Sequence, residues 1–391
     1  MEMLNVAVKK EKISLDCVLA SVYFICMPLQ IITLFAGVSV LKAVMFILAP
    51  IMIITLFFGE KKITFNSVHL FLALYLTYTL ASLYLARDTA TFDYLRAMFE
   101  NSIVIFLVSI RIYNQREKKI IEYSWIVVGV ICILIGFFST VEMSDEERIA
   151  IIFFGSYEDP NQFCAYLILP ILYAMKKITS KTALKPLYVA YILTMIYIAF
   201  KTGSRGGLVA IIVPMAVLAI LLSKGFANKV RMIVSALLVA VFAIYVLFPM
   251  LPESVQGRFN IERIQEDRGS GRVGLWETTY QSIISDSKSM IFGKGINSTE
   301  EILLGAGFSN TVAHNHWLQI WSDQGIIAVF LYLFILMAGI FRTYKKNVVV
   351  MAAIWGMIAL SMSLSLNTFK PFLNVILMSA MNFEGELTYD S

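Results

Sequence analysis

Charge is scarce in this chain. Lys, Arg, Asp and Glu make up 15% of its 391 residues while 59% are hydrophobic, against roughly 25% charged and about 45–50% apolar in a soluble domain. With a mean hydropathy of +0.76, the surplus apolar surface needs lipid as a solvent, which excludes an ordinary water-soluble enzyme. Histidine is scarcer still, with three residues in all, so few side chains can exchange a proton near neutral pH. The four cysteines, Cys17, Cys26, Cys132 and Cys164, lie inside apolar runs. Neither disulfide nor zinc spacing is present, which leaves them as small buried hydrophobes. The net charge of +5 does not imply a nucleic-acid partner, because the basic residues concentrate in short loops between apolar runs.

What is present is a long series of apolar runs. A bilayer core needs about 20 mostly apolar residues per helix, fewer inside a bundle. Spans are expected near 14–36, 39–58, 66–86, 97–111, 120–140, 161–175, 186–201, 206–223, 232–250, 324–341, 347–366 and 371–383. The fold class is therefore all-α, a polytopic membrane protein of about 12 transmembrane helices with one long extracytoplasmic loop between the ninth and tenth spans. It reads as one integrated domain: spans one to nine in residues 1–251, the loop in 252–323, and spans ten to twelve with a tail in 324–391. The first run follows Lys9, Lys10 and Lys12, and no small-residue cleavage site precedes the next run, so a retained helix is expected rather than a signal peptide. The positive-inside rule supports the threading, since nineteen of the 32 basic residues fall in alternate short stretches. Both termini then lie in the cytoplasm of a cytoplasmic membrane. The connection 141–160 is acidic and external, and so is the loop.

Ionisable groups deep in a bilayer are costly and would mark function, yet few occur. Asp16, His69 and Glu122 sit near helix starts, Lys42 near an external end, and Glu100 is expected to be paired or interfacial. The polar residues that are hard to explain gather on the external side. Lys201-Thr202-Gly203-Ser204-Arg205-Gly206-Gly207 is a tight hairpin that places Arg205 at a helix start, where amides and a guanidinium make an anion site. The plainer reading is a turn with a snorkelling arginine. Arg258, Arg263, Arg268 and Arg272 recur within fifteen residues, and Arg272 opens an amphipathic stretch through Trp276, with Asn297 or Ser298 expected to cap a short helix further on and Glu301 to complete a capping box after Ser298. Finally, His314-Asn315-His316-Trp317-Leu318-Gln319 precedes the tenth span and holds two of the three histidines. Zinc is disfavoured there, because i, i+2 histidines diverge on a helix and no third ligand has suitable spacing.

These pieces resemble the bacterial O-antigen polymerase and O-antigen ligase superfamily of membrane glycosyltransferases. His314-Asn315, nine residues and then Gly325 reproduce a family pattern. Ser204-Arg205-Gly206, Asp159-Pro160-Asn161 and Arg272 ahead of Trp276 are supporting matches. The resemblance covers most of residues 155–345, and the first 150 residues match only as generic spans. It implies transfer of a glycan from an undecaprenyl-pyrophosphate-linked oligosaccharide donor to a sugar hydroxyl of an acceptor, at the external face, with no cofactor or metal. His314 would be the general base, with His316 the second candidate, and Arg205 and Arg272 would stabilise the leaving pyrophosphate. Substrate contacts would come from Asn315, Gln319, Ser204, Asp159, Asn161, His316 and Trp276. Membrane lipid and a chain-length regulator or flippase are the implied partners. A repeat-unit polymerase for O-antigen, capsule or exopolysaccharide is the first reading, and a ligase delivering to lipid A core is the alternative. A polysaccharide transporter comes last, since related halves and mid-membrane charges are missing.

Overall fold

The computed structural model describes residues 12–34, 37–59, 61–83, 91–143, 149–153, 156–223, 225, 227–228, 230, 234, 241–260, 271–309, 312–366 and 368–385. Helices dominate. α1 (Leu15–Cys26) continues through a 3₁₀ turn to Ile31, followed by α2 (Val40–Phe58), α3 (Ser67–Leu83), α4 (Thr91–Ser109) and α5 (Gln115–Phe138). After them come α6 (Pro160–Thr179), α7 (Lys185–Lys201), α8 (Arg205–Leu222) and a short α9 (Glu253–Gly257). α10 (Arg272–Ile284), α11 (Ser287–Phe292) and α12 (Ser298–Gly305) precede α13 (His316–Thr343), α14 (Val348–Ser361) and α15 (Lys370–Ala380). Polar residues just ahead of the apolar runs set the starts. Ser14, Ser39, Asp159, Ser204 and Asn315 accept first-turn amides of α1, α2, α6, α8 and α13, and Asn114 with Glu117 forms a capping box on α5.

α2, α5, α8 and α13 are long and apolar enough to cross a membrane, and Leu15–Ile31, Ser67–Ser82 and Val348–Ser361 are shorter apolar helices. The spans expected at 97–111, 161–175, 186–201 and 371–383 fall on α4, α6, α7 and α15, and the one at 232–250 lies largely outside the described residues. Phe57, Phe58, Phe138 and Phe341 each leave at least three-quarters of their surface exposed. Large side chains stay outward on apolar helices only where lipid is the solvent, which marks a membrane protein. α6 is the buried centre, packed against α5, α7, α8 and α14, while α13 packs against α3.

The structure corrects the all-α expectation in detail. The acidic connection after α5 contains an antiparallel sheet, β2 (Thr140–Met143), β3 (Ile149–Phe153) and β4 (Ser156–Glu158), and β1 (Ile112–Tyr113) pairs in parallel with β5 (Asn382–Phe383). β-branched Ile and Val in β2 and β3 favour extended backbone once a neighbouring strand is present. The capping box on α12 also does not form. Asn297 stands at φ 68, and Ser298 and Thr299 turn their hydroxyls to Asp323 instead.

One end of the bundle is tied by buried ion pairs. Asp16 and Arg111 meet at 3.0 Å with almost no exposure, and Glu117, fully buried, accepts from Lys61 at 2.7 Å and from the Ser14 amide at 2.8 Å. Glu122 pairs with Lys176 at 2.8 Å there, and elsewhere Glu100 meets Arg96 at 3.7 Å with both side chains partly exposed. Cys17, Cys132 and Cys164 are buried, Cys26 is half-buried, and all four are free. At the opposite end Glu158, 7% exposed, closes the small sheet. Burial pushes its carboxyl up to about 8, the neighbouring Asp159 adds to the rise, and Lys370 opposes it.

Two outcomes follow from these pairs. Arg111→Leu strands the Asp16 carboxylate, and thermal melting in detergent is expected to show a loss of about 3–5 kcal/mol. For Glu158 the folded pKa of about 8 lies above its ordinary value of 4.5, so folding favours the protonated form. Its contribution is complete below about pH 4.5 and is lost as pH rises through about 8. The melting temperature should fall over that window, and Glu158→Gln should flatten the slope.

Candidate functional site

The site is built on the α13 start and its kink. Asn315 Oδ1 accepts the amides of Trp317 and Leu318 at 3.1 and 3.2 Å, so this side chain opens the helix. Three turns later Gly325 interrupts it with φ 81 and ψ 176, and a Cβ there would run into the Ile291 carbonyl. Only glycine fits that backbone at that distance. Breaking a helix orphans carbonyls, and each is recovered here. The amides of Lys294 and Gly295 donate to Ser322 and Asp323 at 2.9 and 3.0 Å, and the Tyr78 hydroxyl donates to Gln324 at 2.8 Å. The family spacing from His314 to Gly325 thus measures one short helix between its cap and its kink.

His314 lies just before that helix in a left-handed conformation, φ 49, and is 8% exposed. Such a backbone is uncommon for a residue with a side chain and persists when neighbours hold it. They do. The amide of Ala313 donates to Gln319 Oε1 at 3.0 Å, and the carbonyl of Ala313 accepts from Trp276 Nε1 at 3.0 Å. Gln319 in turn donates through Nε2 to Asp323 Oδ2 at 3.0 Å, while Asp323 Oδ1 accepts from the Thr299 amide at 3.0 Å and hydroxyl at 2.7 Å. This chain of bonds anchors α10 and α12 on the His314 segment.

His316 has a different setting. It is fully buried, its Nδ1 accepts the Leu366 amide at 3.1 Å, and the rings of Trp317, Tyr332 and Phe372 surround it edge-on. That is a packing role, and it separates the two histidines that share the segment.

Arg205 and Arg272 each occupy the first position of a helix, α8 and α10. A guanidinium there adds to the positive end of the helix dipole, an arrangement that costs stability and suits an anion. Arg205 Nε donates to the Arg258 carbonyl at 2.7 Å, and Nη2 donates to the same oxygen. Arg272 is half-buried and follows Gly271, whose φ of 73 turns the chain into α10. Arg263 and Arg268 lie outside the described residues.

The remaining residues expected to touch substrate also make structural bonds. Asp159 caps α6 through Asn161 and Gln162, Ser204 caps α8 and donates to Asn161 Oδ1 at 2.6 Å, and Trp276 braces Ala313. Gln319 has both ends of its amide engaged, since Oε1 also accepts from Ser365 Oγ at 3.3 Å. Asp323 was missed by the sequence reading. Its i+4 position from Gln319 on one helix face is the signal that points to it.

The segment between α14 and α15 links these parts. Trp317 Nε1 donates to Ser361 Oγ at 2.8 Å, Ser365 reaches Gln319, and Leu366 reaches His316. A Cβ at Gly206 would collide with Ser363, and one at Gly207 would come within 2.6 Å of Cys164. The two glycines let α8 sit against both α6 and this connection. Arg205, Arg272 and His314 are therefore all carried at one end of the bundle.

No curated protein matches the chain at a significant level. A family model described as O-antigen ligase matches residues 190–333, the segment carrying Arg205, Arg272, His314 and Gly325. That match makes this segment similar to the O-antigen polymerase and ligase superfamily and supports glycan transfer of that type in general.

Proposed function

We propose that the protein is a repeat-unit polymerase that moves a glycan from an undecaprenyl-pyrophosphate carrier to a sugar hydroxyl at the external membrane face. The observation that carries this reading is the left-handed backbone at His314, with the preceding Ala313 tied through its amide to Gln319 and through its carbonyl to Trp276. Strain held by so many bonds suits a side chain whose placement matters for chemistry. Electrostatics add support, because the two helix-start arginines lie at the same end of the bundle.

In this reading the His314 imidazole takes the proton of the acceptor hydroxyl as its oxygen attacks the anomeric carbon. The bond from that carbon to the pyrophosphate oxygen breaks, and undecaprenyl pyrophosphate leaves with the bonding electrons. Arg205 and Arg272 stabilise the charge that develops on it, as preorganised donors do for other leaving groups. The anomeric centre inverts once. Gln319 and Asp323 act through the His314 backbone and are positioning residues.

Purified protein in nanodiscs, supplied with lipid-linked oligosaccharide, should form longer lipid-linked chains. With lipid A core as the only acceptor it should form no product, and transfer to that core alone would assign the ligase reading. His314→Ala is expected to lower kcat by about 10²–10⁴-fold. Arg205→Ala and Arg272→Ala should each lower it by about 10²–10³-fold. His316→Asn keeps an acceptor near the Nδ1 position and should retain most activity. Full activity in the His314→Ala and Arg205→Ala variants would remove the mechanism.

A further inference from the structure

A cavity of about 330 Å³ opens beside this site and is lined by Lys42, Arg96, Glu100, Asn101, Gln162 and Lys370, with Phe369 on one wall. None of these residues falls within the segment matched by the family model. Its size is at the lower end of the range for small-ligand sites, about 300–1,000 Å³, yet its lining is made of charges and amides where such pockets are mostly apolar.

The charges are arranged against stability. Lys42 stands in the first turn of α2 and Lys370 opens α15, so both ammonium groups face the positive end of a helix dipole. They also lie within electrostatic range of each other, and Glu100 acts on Lys370 more strongly than Lys42 does. Arg96 is held by Asp93 at 3.1 Å and by Glu100 at 3.7 Å. Among the described residues neither lysine has a carboxylate within ion-pair distance. Glu158, near Lys370, is largely protonated at neutral pH because burial pushes it up to about 8. The cavity thus holds a local excess of positive charge, and α15 starts with no side-chain cap on its first amides.

Neutral groups complete the lining. Asn101, 4% exposed, and Gln162 offer amides, and Ser365 and Thr368 offer hydroxyls. Ser365 is shared between the two sites, since its hydroxyl donates to the Gln319 oxygen that holds Ala313 beside His314. A ligand in the cavity would therefore lie one side chain away from the backbone that presents His314.

We infer that this cavity is a subsite for an anionic, hydroxyl-rich group, a carboxylate- or phosphate-bearing sugar of the acceptor glycan, gripped by Lys42 and Lys370. The identity of the ligand as acceptor glycan rests on the transfer reading above, whereas the anion preference rests on the cavity alone. Amides and hydroxyls satisfy the sugar hydroxyls, Phe369 covers an apolar ring face, and the two ammonium groups meet the negative charge. The subsite selects acidic acceptors and sets their distance from His314.

The test is a binding titration on the full chain in phosphatidylcholine nanodiscs, with trigalacturonate, neutral maltotriose and inorganic phosphate as probes. Trigalacturonate should bind at least about ten-fold tighter than maltotriose, since a lost charge-assisted contact is worth about that factor. In the Lys42→Gln, Lys370→Gln double variant it should fall to the maltotriose level. Melting temperature in the double variant should stay level or rise, because repulsion and dipole cost are relieved, and Lys42→Arg should keep the preference. The His314→Ala variant should bind trigalacturonate like the unaltered chain, so the titration reads the subsite even where transfer is abolished. Unchanged affinity in the double variant, equal binding of maltotriose, or a marked fall in its melting temperature would overturn the inference. So would inorganic phosphate binding as tightly as trigalacturonate, or loss of trigalacturonate binding when phosphatidylglycerol replaces phosphatidylcholine, since a free ion or a lipid headgroup would then be the occupant.

Discussion

Hydrocarbon offers no partner to a peptide group, so every break in a helix near the membrane must be repaired by the protein itself. The kink at Gly325 is the break on which the site depends. Its carbonyls are recovered by Lys294, Gly295 and Tyr78, and those bonds bring the segment of α11 and α12 onto α13. Once that segment is in place, Thr299 can reach Asp323, Asp323 can orient Gln319, and Gln319 can hold the amide of Ala313, the residue before His314.

A second constraint is the placement of cations. Arg205, Arg272, Lys42 and Lys370 all occupy first turns of helices, where the dipole disfavours them. The contrasting end of the bundle shows the ordinary solution, with Arg111, Lys61 and Lys176 each on a buried or half-buried carboxylate. Arg116 and Lys185 also stand in the first turns of α5 and α7 at that end, so what sets the cations of the opposite end apart is the cavity and the helix starts they share, not the dipole alone. The pattern unites the two arginines of the transfer site with the two lysines of the neighbouring cavity.

Histidine scarcity sharpens the assignment of roles. His69 bonds the Asn66 amide and the Ser109 hydroxyl, and His316 is enclosed by three aromatic rings. Both are committed to packing. His314 alone among the three has a left-handed backbone, with the preceding Ala313 bonded through both its amide and its carbonyl, and the spacing to Gly325 already favoured it.

Composition and periodicity were enough to recover a helical membrane protein, because apolar runs of bilayer length have few other solutions. Helix starts at Ser14, Asp159, Ser204 and Asn315 were also open to local reading, since a cap and its amides lie within a few residues. The small sheets were not, as strand pairing depends on a neighbour that composition does not name. Nor were the long-range bonds of Ser204 to Asn161, Trp276 to Ala313 and Gln319 to Ser365, because their partners lie on distant segments. The bond of Asp323 to Thr299 and the Lys42–Lys370 cavity depend most on tertiary structure. Both join groups more than twenty residues apart along the chain, brought together only by packing, and no local pattern encodes that approach.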